Sequence, residues 1–339
     1  MVNESTIKGA KLNFGIIGCG WVARDYVAPA IIESRNAEIV ALCDLNVENL
    51  SKIAPEKANV FRTTNLKEFL ANPSMQAVYI ATPNDSHRFL TEKCAEAGKH
   101  VLCEKPMATN YADALRMVEV CERFKVQYAT AFDQRFQARH LRLREIIESG
   151  EAGEITVAKI HYACWLPENW CENNWRVDAE KAGGGAFIDL APHGIDLLQY
   201  LLNDEIIDFT AYFQSRIHSY KVDDGAVAIG RFKGGALLTM NVAYNCPDEF
   251  PRRTLEIIGT KKMIVAKNTM GQTSGGNLYL IDNKGETLEV LIDESDDVSP
   301  FRLQIETFSD CILNEKPFPF SPERDLQTMR ILFETIDKQ

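Results

Sequence analysis

A strand, a glycine-rich turn and a helix follow one another near the start of the chain, and this order constrains the fold more than any other feature. Residues 12–17 form an apolar run typical of a buried strand, and apolar residues then recur with helical spacing up to about Ser34. Gly18 permits a tight turn, Gly20 lets backbone approach a pyrophosphate, and the small Ala23 permits close packing of helix on strand. Phosphates would lie at the helix N-terminus. The predicted contacts are Gly18, Cys19, Gly20, Trp21 and Val22.

An acidic residue ends the second predicted strand where a dinucleotide-binding unit needs one. Residues 38–43 are apolar and strand-like, and Asp44 follows them, 24 positions after Gly20. An acid there binds the adenine ribose hydroxyls and repels a 2′-phosphate, and Leu45 and Asn46 provide no arginine to receive one. The sequence therefore predicts NAD rather than NADP. The alternative is that Asp44 caps the helix predicted at residues 47–53.

Strands and helices alternate as far as Phe132. Further strands are predicted at residues 77–81, 101–103 and 127–132, with helices at 86–97 and 111–124 between them. Such alternation builds a doubly wound parallel sheet. The fold class is therefore α/β, and residues 1–132 are predicted to form a Rossmann domain that binds NAD.

Polar residues follow two of these strands at their carboxyl ends. Ligands of open α/β sheets bind in the crevice outside those ends, so we expect these residues to face the cofactor. They are Thr82, Asn84 and His87 after one strand, and Glu104 and Lys105 after the next. Lys105 would also act on the substrate. The alternatives are a plain helix cap at Asp85 or Ser86 and a surface lysine after an edge strand.

The second half of the chain follows a different pattern. Strands are predicted at residues 155–163, 206–217, 222–232, 236–244 and 254–258, without long helices between the later ones, and helices at 140–149, 301–314 and 322–337. Short turns such as Lys233-Gly234-Gly235 join successive strands as hairpins, which makes the sheet mostly antiparallel. The change marks a domain boundary near Phe132, so residues 133–339 are predicted to form a second domain.

Three glycines and a histidine mark the informative stretch of this second domain. Pro192 favours a helix that starts there and runs to about Leu202, which would place His193 in its first turn. The positive end of the helix dipole would then lower the pKa of His193 and favour the neutral imidazole, which accepts protons near neutral pH. Asp189 could orient that imidazole or bind a substrate hydroxyl. The alternatives are a histidine packed behind Gly183-Gly184-Gly185 and a simple turn aspartate.

Tryptophans are concentrated around the expected cleft. Trp21 follows the phosphate loop, and Trp165, Trp170 and Trp175 lie between the first strand of the second domain and the glycines. Flat aromatic faces suit the C–H surfaces of sugars, and Arg176 could hold a carboxylate, phosphate or hydroxyl of the ligand. Each tryptophan could equally belong to the core or to a dimer interface.

Composition narrows the class of protein further. The net charge is −11 with no basic run, which argues against nucleic acid or an anionic membrane as partner. No apolar stretch approaches the roughly 20 residues that span a bilayer, and the N-terminus is polar, so we expect a cytoplasmic protein. The nine cysteines are scattered and never spaced C-x-x-C, so neither a disulfide framework nor a metal site is predicted.

These motifs in this order resemble the Gfo/Idh/MocA family of sugar and cyclitol oxidoreductases. The residues that carry the resemblance are Gly18-x-Gly20, Ala-Thr-Pro-Asn84-x-x-His87, Gly98-Lys99-His100-Val101 leading into Glu104-Lys105-Pro106, and Gly183-Gly184-Gly185 with Asp189 and His193. The resemblance implies a Rossmann domain, a C-terminal α/β domain with an open antiparallel sheet, and a substrate site between them. It also implies a lysine that contacts nicotinamide and substrate, often a cis bond to Pro106, and a homodimer or homotetramer formed through the open sheet face.

The implied activity is NAD(H)-dependent oxidation of a secondary alcohol of a sugar, sugar derivative or inositol, or the reverse reduction. His193 would take the hydroxyl proton, Lys105 would stabilise the alkoxide, and Asp189 would orient; Lys105, Trp175, Arg176, Asp189 and His193 would contact the substrate. Two alternatives remain open: an NAD-dependent glycosidase of the same fold, and a non-catalytic NAD(H)-binding sensor or scaffold. One departure from the family pattern is Asp133-Gln134-Arg135, where many members carry an asparagine-led turn.

Overall fold

The first sheet is parallel throughout and lies in the N-terminal half. The computed structural model describes residues 9–54, 59–171 and 174–338. In this part of the chain six strands pair in the order β3-β2-β1-β4-β5-β6. Both faces of β1 and β4 are buried, as expected for a sheet with helices on both sides. The strands are β1 Leu12–Ile17, β2 Ala37–Cys43, β3 Phe61–Thr63, β4 Ala77–Ile80, β5 His100–Cys103 and β6 Tyr128–Thr130.

Helices connect these strands and confirm the predicted doubly wound α/β fold. The strand order reverses between β1 and β4, which opens a crevice at the carboxyl ends of the strands. A π-helical segment, Ala23–Val27, follows the glycine turn and continues into α1. A 3₁₀ turn, Asn84–Ser86, precedes α4. The helices are α1 Ala28–Glu33, α2 Val47–Lys52, α3 Leu66–Leu70, α4 His87–Glu96 and α5 Tyr111–Phe124.

The second sheet has eight strands in the described residues, ordered β14-β13-β12-β11-β7-β10-β9-β8. Among them β7 and β10 pair in parallel and the other neighbours are antiparallel, which confirms the predicted mostly antiparallel sheet. The strands are β7 Ile155–Ala163, β8 Ile206–Gln214, β9 Gly225–Phe232, β10 Leu237–Ala243, β11 Arg253–Gly259, β12 Lys262–Lys267, β13 Asn277–Asp282 and β14 Thr287–Val290.

One long helix covers the inner face of this sheet. The helices of this half are α6 Ala138–Glu148, α7 Glu168–Cys171, α8 Ala179–Ala182, α9 Ala186–Leu202, α10 Pro300–Leu313 and α11 Pro322–Ile336. Of these, α9 packs across β7, β9 and β10, and α10 returns to pack on α1, β1 and β2 of the first sheet. None of the described helices is both long and apolar enough to cross a membrane.

The predicted start of the histidine-bearing helix is wrong. Helix α9 begins at Ala186, six residues before Pro192, and Pro192 lies inside it. The reason is a distant capping group: the carboxylate of Asp223 accepts hydrogen bonds from the backbone N–H of Gly185 at 2.8 Å and of Phe187 at 2.7 Å. Backbone donors at a helix start need such acceptors, and nothing in the local sequence shows that Asp223 supplies one. His193 therefore lies in the middle of the helix.

Candidate active site

A cleft lies between the carboxyl ends of the parallel strands and the inner face of the second sheet. It brings together most of the predicted site residues. Those that line it are Gly20, Trp21, Val22, Thr82, Asn84, Glu104, Lys105, Trp175, Arg176, Asp189 and His193. Four predicted site residues do not line this cleft: Gly18, Cys19, Asp44 and His87. Gly18 and Cys19 belong to the adjoining glycine turn, and Asp44 supports that turn.

The glycine turn has the shape that a pyrophosphate requires. Gly18 has φ +85°, and a Cβ there would lie 2.4 Å from the carbonyl oxygen of Ala81, so no other residue fits. A Cβ on Gly20 would meet nothing within 4 Å, which means that this side of the turn is open. A helical segment starts directly after it, and the first backbone N–H groups of a helix have no partner within the helix and can bind an anion. The residues present therefore fit the phosphates of a dinucleotide.

Asp44 braces this turn rather than capping a helix. Its Oδ2 accepts a hydrogen bond from the backbone N–H of Cys19 at 2.6 Å, and its Oδ1 accepts one from the N–H of Asn46 at 2.7 Å. The N-cap of α2 is Asn46, whose side chain accepts from the N–H of Glu48. The capping alternative for Asp44 is therefore wrong. The ribose contact remains a prediction.

Lys105 and Asp189 form an ion pair on the cleft wall. The Nζ of Lys105 donates to the Oδ1 of Asp189 at 2.7 Å and to its backbone oxygen at 2.8 Å. The hydroxyl of Tyr244 donates to the other carboxylate oxygen at 2.7 Å. Burial alone would raise the pKa of Asp189, but the Lys105 ammonium and the Arg176 guanidinium hold it well below its usual range. The Lys105–Pro106 bond is cis, as the resemblance implied.

His193 presents a buried, neutral imidazole. Its side chain is 7% exposed and packs edge-on against the ring of Tyr162, with centroids 5.5 Å apart. Burial and then the Lys105 ammonium hold its pKa well below the ordinary value, so the ring is uncharged at neutral pH. The lowered pKa is confirmed, but its predicted cause, the helix dipole, is wrong because His193 is not in the first turn. Its Nδ1 is buried without a hydrogen bond to any described atom.

Two further carboxyl groups lie behind Lys105. Glu104 accepts a hydrogen bond from the hydroxyl of Tyr79 at 2.7 Å, and burial raises its pKa. Asp133 is 4% exposed and lines the cleft. Burial and the negative charge of Glu104 raise the pKa of Asp133 to about 7. Burial therefore disfavours the ionised form of both carboxyl groups, and a charge on Glu104 further disfavours a charge on Asp133.

The turn after β4 is hydrogen-bonded to α8, but one of its predicted residues has another role. The side-chain N–H of Asn84 donates to the backbone oxygen of Ala182 at 2.8 Å. His87 is fully buried as the first residue of α4, and its ring nitrogens lie 3.0 Å from the carbonyl oxygens of Pro106 and Thr82. The predicted contact of His87 with the cofactor is therefore wrong; the ring fastens the Thr82 turn to the segment that carries Lys105.

Aromatic rings and guanidinium groups form the outer part of the cleft. Trp21, Trp165 and Trp175 line it, and the guanidinium of Arg176 lies 4.5 Å from the ring of Trp175 and 5.7 Å from that of Trp21. The side chain of Trp170 lies outside the described part of the structure. The exposed ring surfaces of Trp21 and Trp165, 43% and 39% exposed, are available for ligand contact.

Among the cleft residues with charged or hydroxyl-bearing side chains, sequence reasoning did not assign four. They are Asp133, Tyr162, Tyr244 and Arg253. Three come from strands of the second sheet or their ends, where nothing in the local pattern distinguishes a cleft residue from a core one. Asp133 did carry a signal, because it begins the turn that departs from the family pattern. In the described ranges, no group of three His, Cys, Asp or Glu side chains could hold a metal ion.

Comparisons with known proteins agree with this geometry. Residues 12–132 match a family model described as "Oxidoreductase family, NAD-binding Rossmann fold", and residues 140–265 match "GFO/IDH/MocA C-terminal domain". The first match confirms the predicted NAD-binding fold. The chain is 31% identical over 275 residues to the 1,5-anhydro-D-fructose reductase of Ensifer adhaerens, covering 81% of each protein. It is 28% identical to the myo-inositol 2-dehydrogenase of Thermotoga maritima, covering 81% of this chain and 80% of that one.

Solved structures show the same fold. An aldose-aldose oxidoreductase from Caulobacter crescentus, complexed with glycerol, superposes with a TM-score of 0.86 at 23% identity, covering 97% of this chain and 98% of that one. A levoglucosan dehydrogenase, in complex with NADH and levoglucosan, superposes with a TM-score of 0.84 at 21% identity, covering 96% of both chains. At this level of identity the likeness concerns the fold.

Proposed function

Because the chain belongs to the Gfo/Idh/MocA family of NAD-binding oxidoreductases, we propose that it oxidises a secondary alcohol of a sugar, a sugar derivative or an inositol, or reduces the corresponding ketone. Residues 1–132 hold NAD, and residues 133–339 provide the substrate side of the cleft. The observation that carries the proposal is the arrangement of an ammonium group, Lys105, held by Asp189 beside a neutral imidazole, His193.

The cofactor would be held by residues of the first domain. The glycine turn would receive the pyrophosphate on the open side of Gly20, and Asp44 would bind the adenosine ribose. Thr82, Asn84, Glu104 and Lys105 would surround the nicotinamide half. NAD supplies the hydride acceptor for oxidation, and NADH the donor for reduction, while the protein supplies position and electrostatics.

The protein's own groups manage the substrate proton and charge. Asp189 holds the ammonium of Lys105 in one place, so that a substrate oxygen beside it gains a fixed positive charge as its own negative charge develops. His193 is neutral near pH 7 and can therefore accept the hydroxyl proton during oxidation and return it during reduction. Burial of both groups strengthens these interactions, because water screens them poorly inside the cleft.

The outer cleft supports a carbohydrate or cyclitol as substrate. Exposed faces of Trp21 and Trp165 suit the C–H faces of a sugar ring, and Arg176 provides donors for a hydroxyl or acidic group. The names of two relatives, an anhydrofructose reductase and an inositol dehydrogenase, point to the same class. The free thiols of the described cysteines suit a reducing compartment such as the cytoplasm.

The test follows NADH absorbance and sugar products together. We expect a net change in NADH with at least one member of a panel of 1,5-anhydro-D-fructose, myo-inositol, aldoses and glycosides, in proportion to substrate consumed. Reactions without sugar provide the baseline. Release of a sugar from a glycoside without net change in NADH would instead identify a hydrolase. Tight NAD binding with no turnover across the panel would favour a sensor or scaffold.

A further inference from the structure

Asp133 lies at a place that the fold fixes tightly against His193. It is the first residue of the 3₁₀ turn Asp133–Phe136, just after β6. Two residues on, the fully buried Arg135 forms ion pairs with Asp196 of α9 and, at 2.6 Å, with Asp325 of α11. Asp196 is three residues beyond His193 on the same helix. The Arg135–Asp196 pair therefore sets the distance between the Asp133 turn and the imidazole.

A carboxylate oxygen of Asp133 faces the unpartnered nitrogen of His193. The distance from Asp133 Oδ1 to His193 Nδ1 is 3.6 Å, slightly longer than a hydrogen bond. The other oxygen, Oδ2, already accepts from the side-chain N–H of Gln134 at 2.9 Å. Because Nδ1 is buried without a partner, an acceptor within reach is needed to satisfy it when it carries a proton. Hydrogen bonds in catalytic sites are often long until ligands bind.

We propose that Asp133 is a positioning residue, whose carboxylate accepts the Nδ1–H of His193 and so leaves Nε2 as the atom that takes the substrate proton. The inference rests on the proposed function. During oxidation the hydroxyl proton would pass to Nε2, the carbon that carries the hydroxyl would give its hydride to bound NAD, and the imidazolium that forms would lie next to a negative carboxylate. An aspartate in this turn therefore does what an asparagine cannot: it both selects the tautomer and neutralises the new charge.

The charges around Asp133 determine when it can act. Glu104 and Lys105 face it from the end of β5, His193 from α9, Tyr79 from β4 and Tyr162 from β7. Burial and Glu104 raise the pKa of Asp133 to about 7. Below that pH the protonated carboxyl would donate to Nδ1 and place the ring proton on Nε2, which removes the base. Oxidation should therefore accelerate as pH rises through about 7, a range in which His193, with its lowered pKa, does not itself titrate.

The pH profile of Asp133→Asn tests this role. Once a substrate is known, wild-type kcat/KM for oxidation should rise between pH 6 and 8, whereas the variant should be flat and slower at pH 8 by on the order of a hundredfold. NAD affinity should not change. The unfolding midpoint at pH 8 should not fall, since a raised carboxyl pKa means that the ionised form costs the folded state stability. Asp310→Asn, an exposed acid on α10, is the matched control.

A second measurement needs no turnover and so separates this inference from the proposed function. Nitrogen-15 NMR of histidine-labelled protein reads the tautomer of each of the six histidines, and loss of a signal in His193→Asn identifies that of His193. Above pH 8, with and without NAD, we expect the Nδ1–H tautomer in the wild type and the Nε2–H tautomer in Asp133→Ala. An Nε2–H tautomer in the wild type, or a wild-type pH profile in Asp133→Asn, would overturn the proposal.

Discussion

Lys105 occupies a position where a single side chain can affect the chemical step much more than it affects cofactor binding. Its ammonium is held by Asp189 of α9, whereas the glycine turn and Asp44 follow other strands of the first sheet, β1 and β2. Lys105→Met should therefore lower kcat by roughly a hundredfold or more at every pH, because an electrostatic group of this kind contributes at that scale. Stopped-flow and steady-state rates measure the loss.

The control for this substitution is Lys93→Met, a half-buried lysine on α4 that lies outside the cleft and pairs with Glu96. It should keep wild-type rates. Cofactor titration by fluorescence should give the same NAD affinity for wild type and Lys105→Met within about twofold, or about 0.4 kcal/mol. A Lys105→Met enzyme with most of its rate intact would show that the alkoxide is stabilised elsewhere.

Asp44 should determine the choice between the two nicotinamide cofactors. The carboxylate lies at the end of β2, fixed by the backbone N–H groups of Cys19 and Asn46, so it cannot swing away from an added phosphate. We expect NAD(H) to bind at least tenfold more tightly than NADP(H), which corresponds to about 1.4 kcal/mol. Asp44→Ser should narrow this ratio. Equal affinities of the wild type for the two cofactors, measured by titration, would contradict the assignment.

At the scale of elements, the strands and helices of the N-terminal half can be predicted from local sequence. Those of the second half can be predicted only in part. Buried strands such as Leu12–Ile17 and the capped helix Tyr111–Phe124 have the predicted bounds because their apolar period and end signals are local. The strands Lys262–Lys267, Asn277–Asp282 and Thr287–Val290 were not predicted individually. The apolar pattern is weak only in the last of them, which is almost entirely exposed at the edge of the sheet, whereas the other two carry buried apolar residues.

The candidate site shows the same division. Glycines, strand-end residues and the Asp189–His193 spacing carry local signals, so they were predicted, whereas Tyr244 and Arg253 reach the cleft only through pairing of distant strands. The start of α9 and the burial of His87 depend on partners far away in sequence, Asp223 and the Pro106 segment. Local propensity cannot reveal such partners.

The start of α9 positions both Asp189 and His193, so a change there should affect stability and activity together. A Cβ on Gly185 would lie 2.1 Å from the backbone oxygen of Asp223, which cannot move without shifting β9. Gly185→Ala should therefore destabilise the fold by about 1–3 kcal/mol, as overpacking does, and lower activity as Asp189 shifts. Thermal and urea unfolding measure the first effect.

The matched control is on the same helix. A Cβ on Gly194 would meet the terminal methyl group of Met240 at 2.7 Å, and the end of a flexible side chain can move. Gly194→Ala should cost less stability than Gly185→Ala, and a helix interior even favours alanine over glycine. If both variants unfold at the same urea concentration, the cap at Asp223 is not what holds the start of α9.

At the scale of the whole molecule, buried charge ties the two sheets together around the cleft. Arg135 follows β6 of the first sheet and pairs with Asp196 on the helix that covers the second. Asp325 of α11 accepts from both Arg135 and the backbone N–H of Thr130 in β6. The cleft walls are therefore held by ion pairs that water cannot reach, and breaking one would leave a costly unpaired charge.

The outer face of the second sheet predicts how copies of this protein associate. Helices cover the inner face, whereas on the outer face of β8, β9 and β10 large apolar side chains stand in solvent: Tyr212 is 80% exposed, Val227 54%, Ile229 55% and Leu237 49%. Tyr212 and Val227 are direct partners across β8 and β9, and the strand register places Ile229 and Leu237 on the same face of the sheet. A patch of this kind on a stable sheet is typical of a subunit interface.

We therefore expect a homodimer or homotetramer at micromolar concentration, with the outer faces of two sheets packed together. The double variant Tyr212→Glu and Ile229→Lys should shift the mass measured by light scattering towards the monomer. Burying charges without partners in such an interface costs more free energy than the apolar contact provides. Phe89→Lys, which adds a charge at an exposed aromatic position on α4, should leave the mass unchanged. A monomeric wild type would rule out this interface, and the apolar patch would then need another occupant.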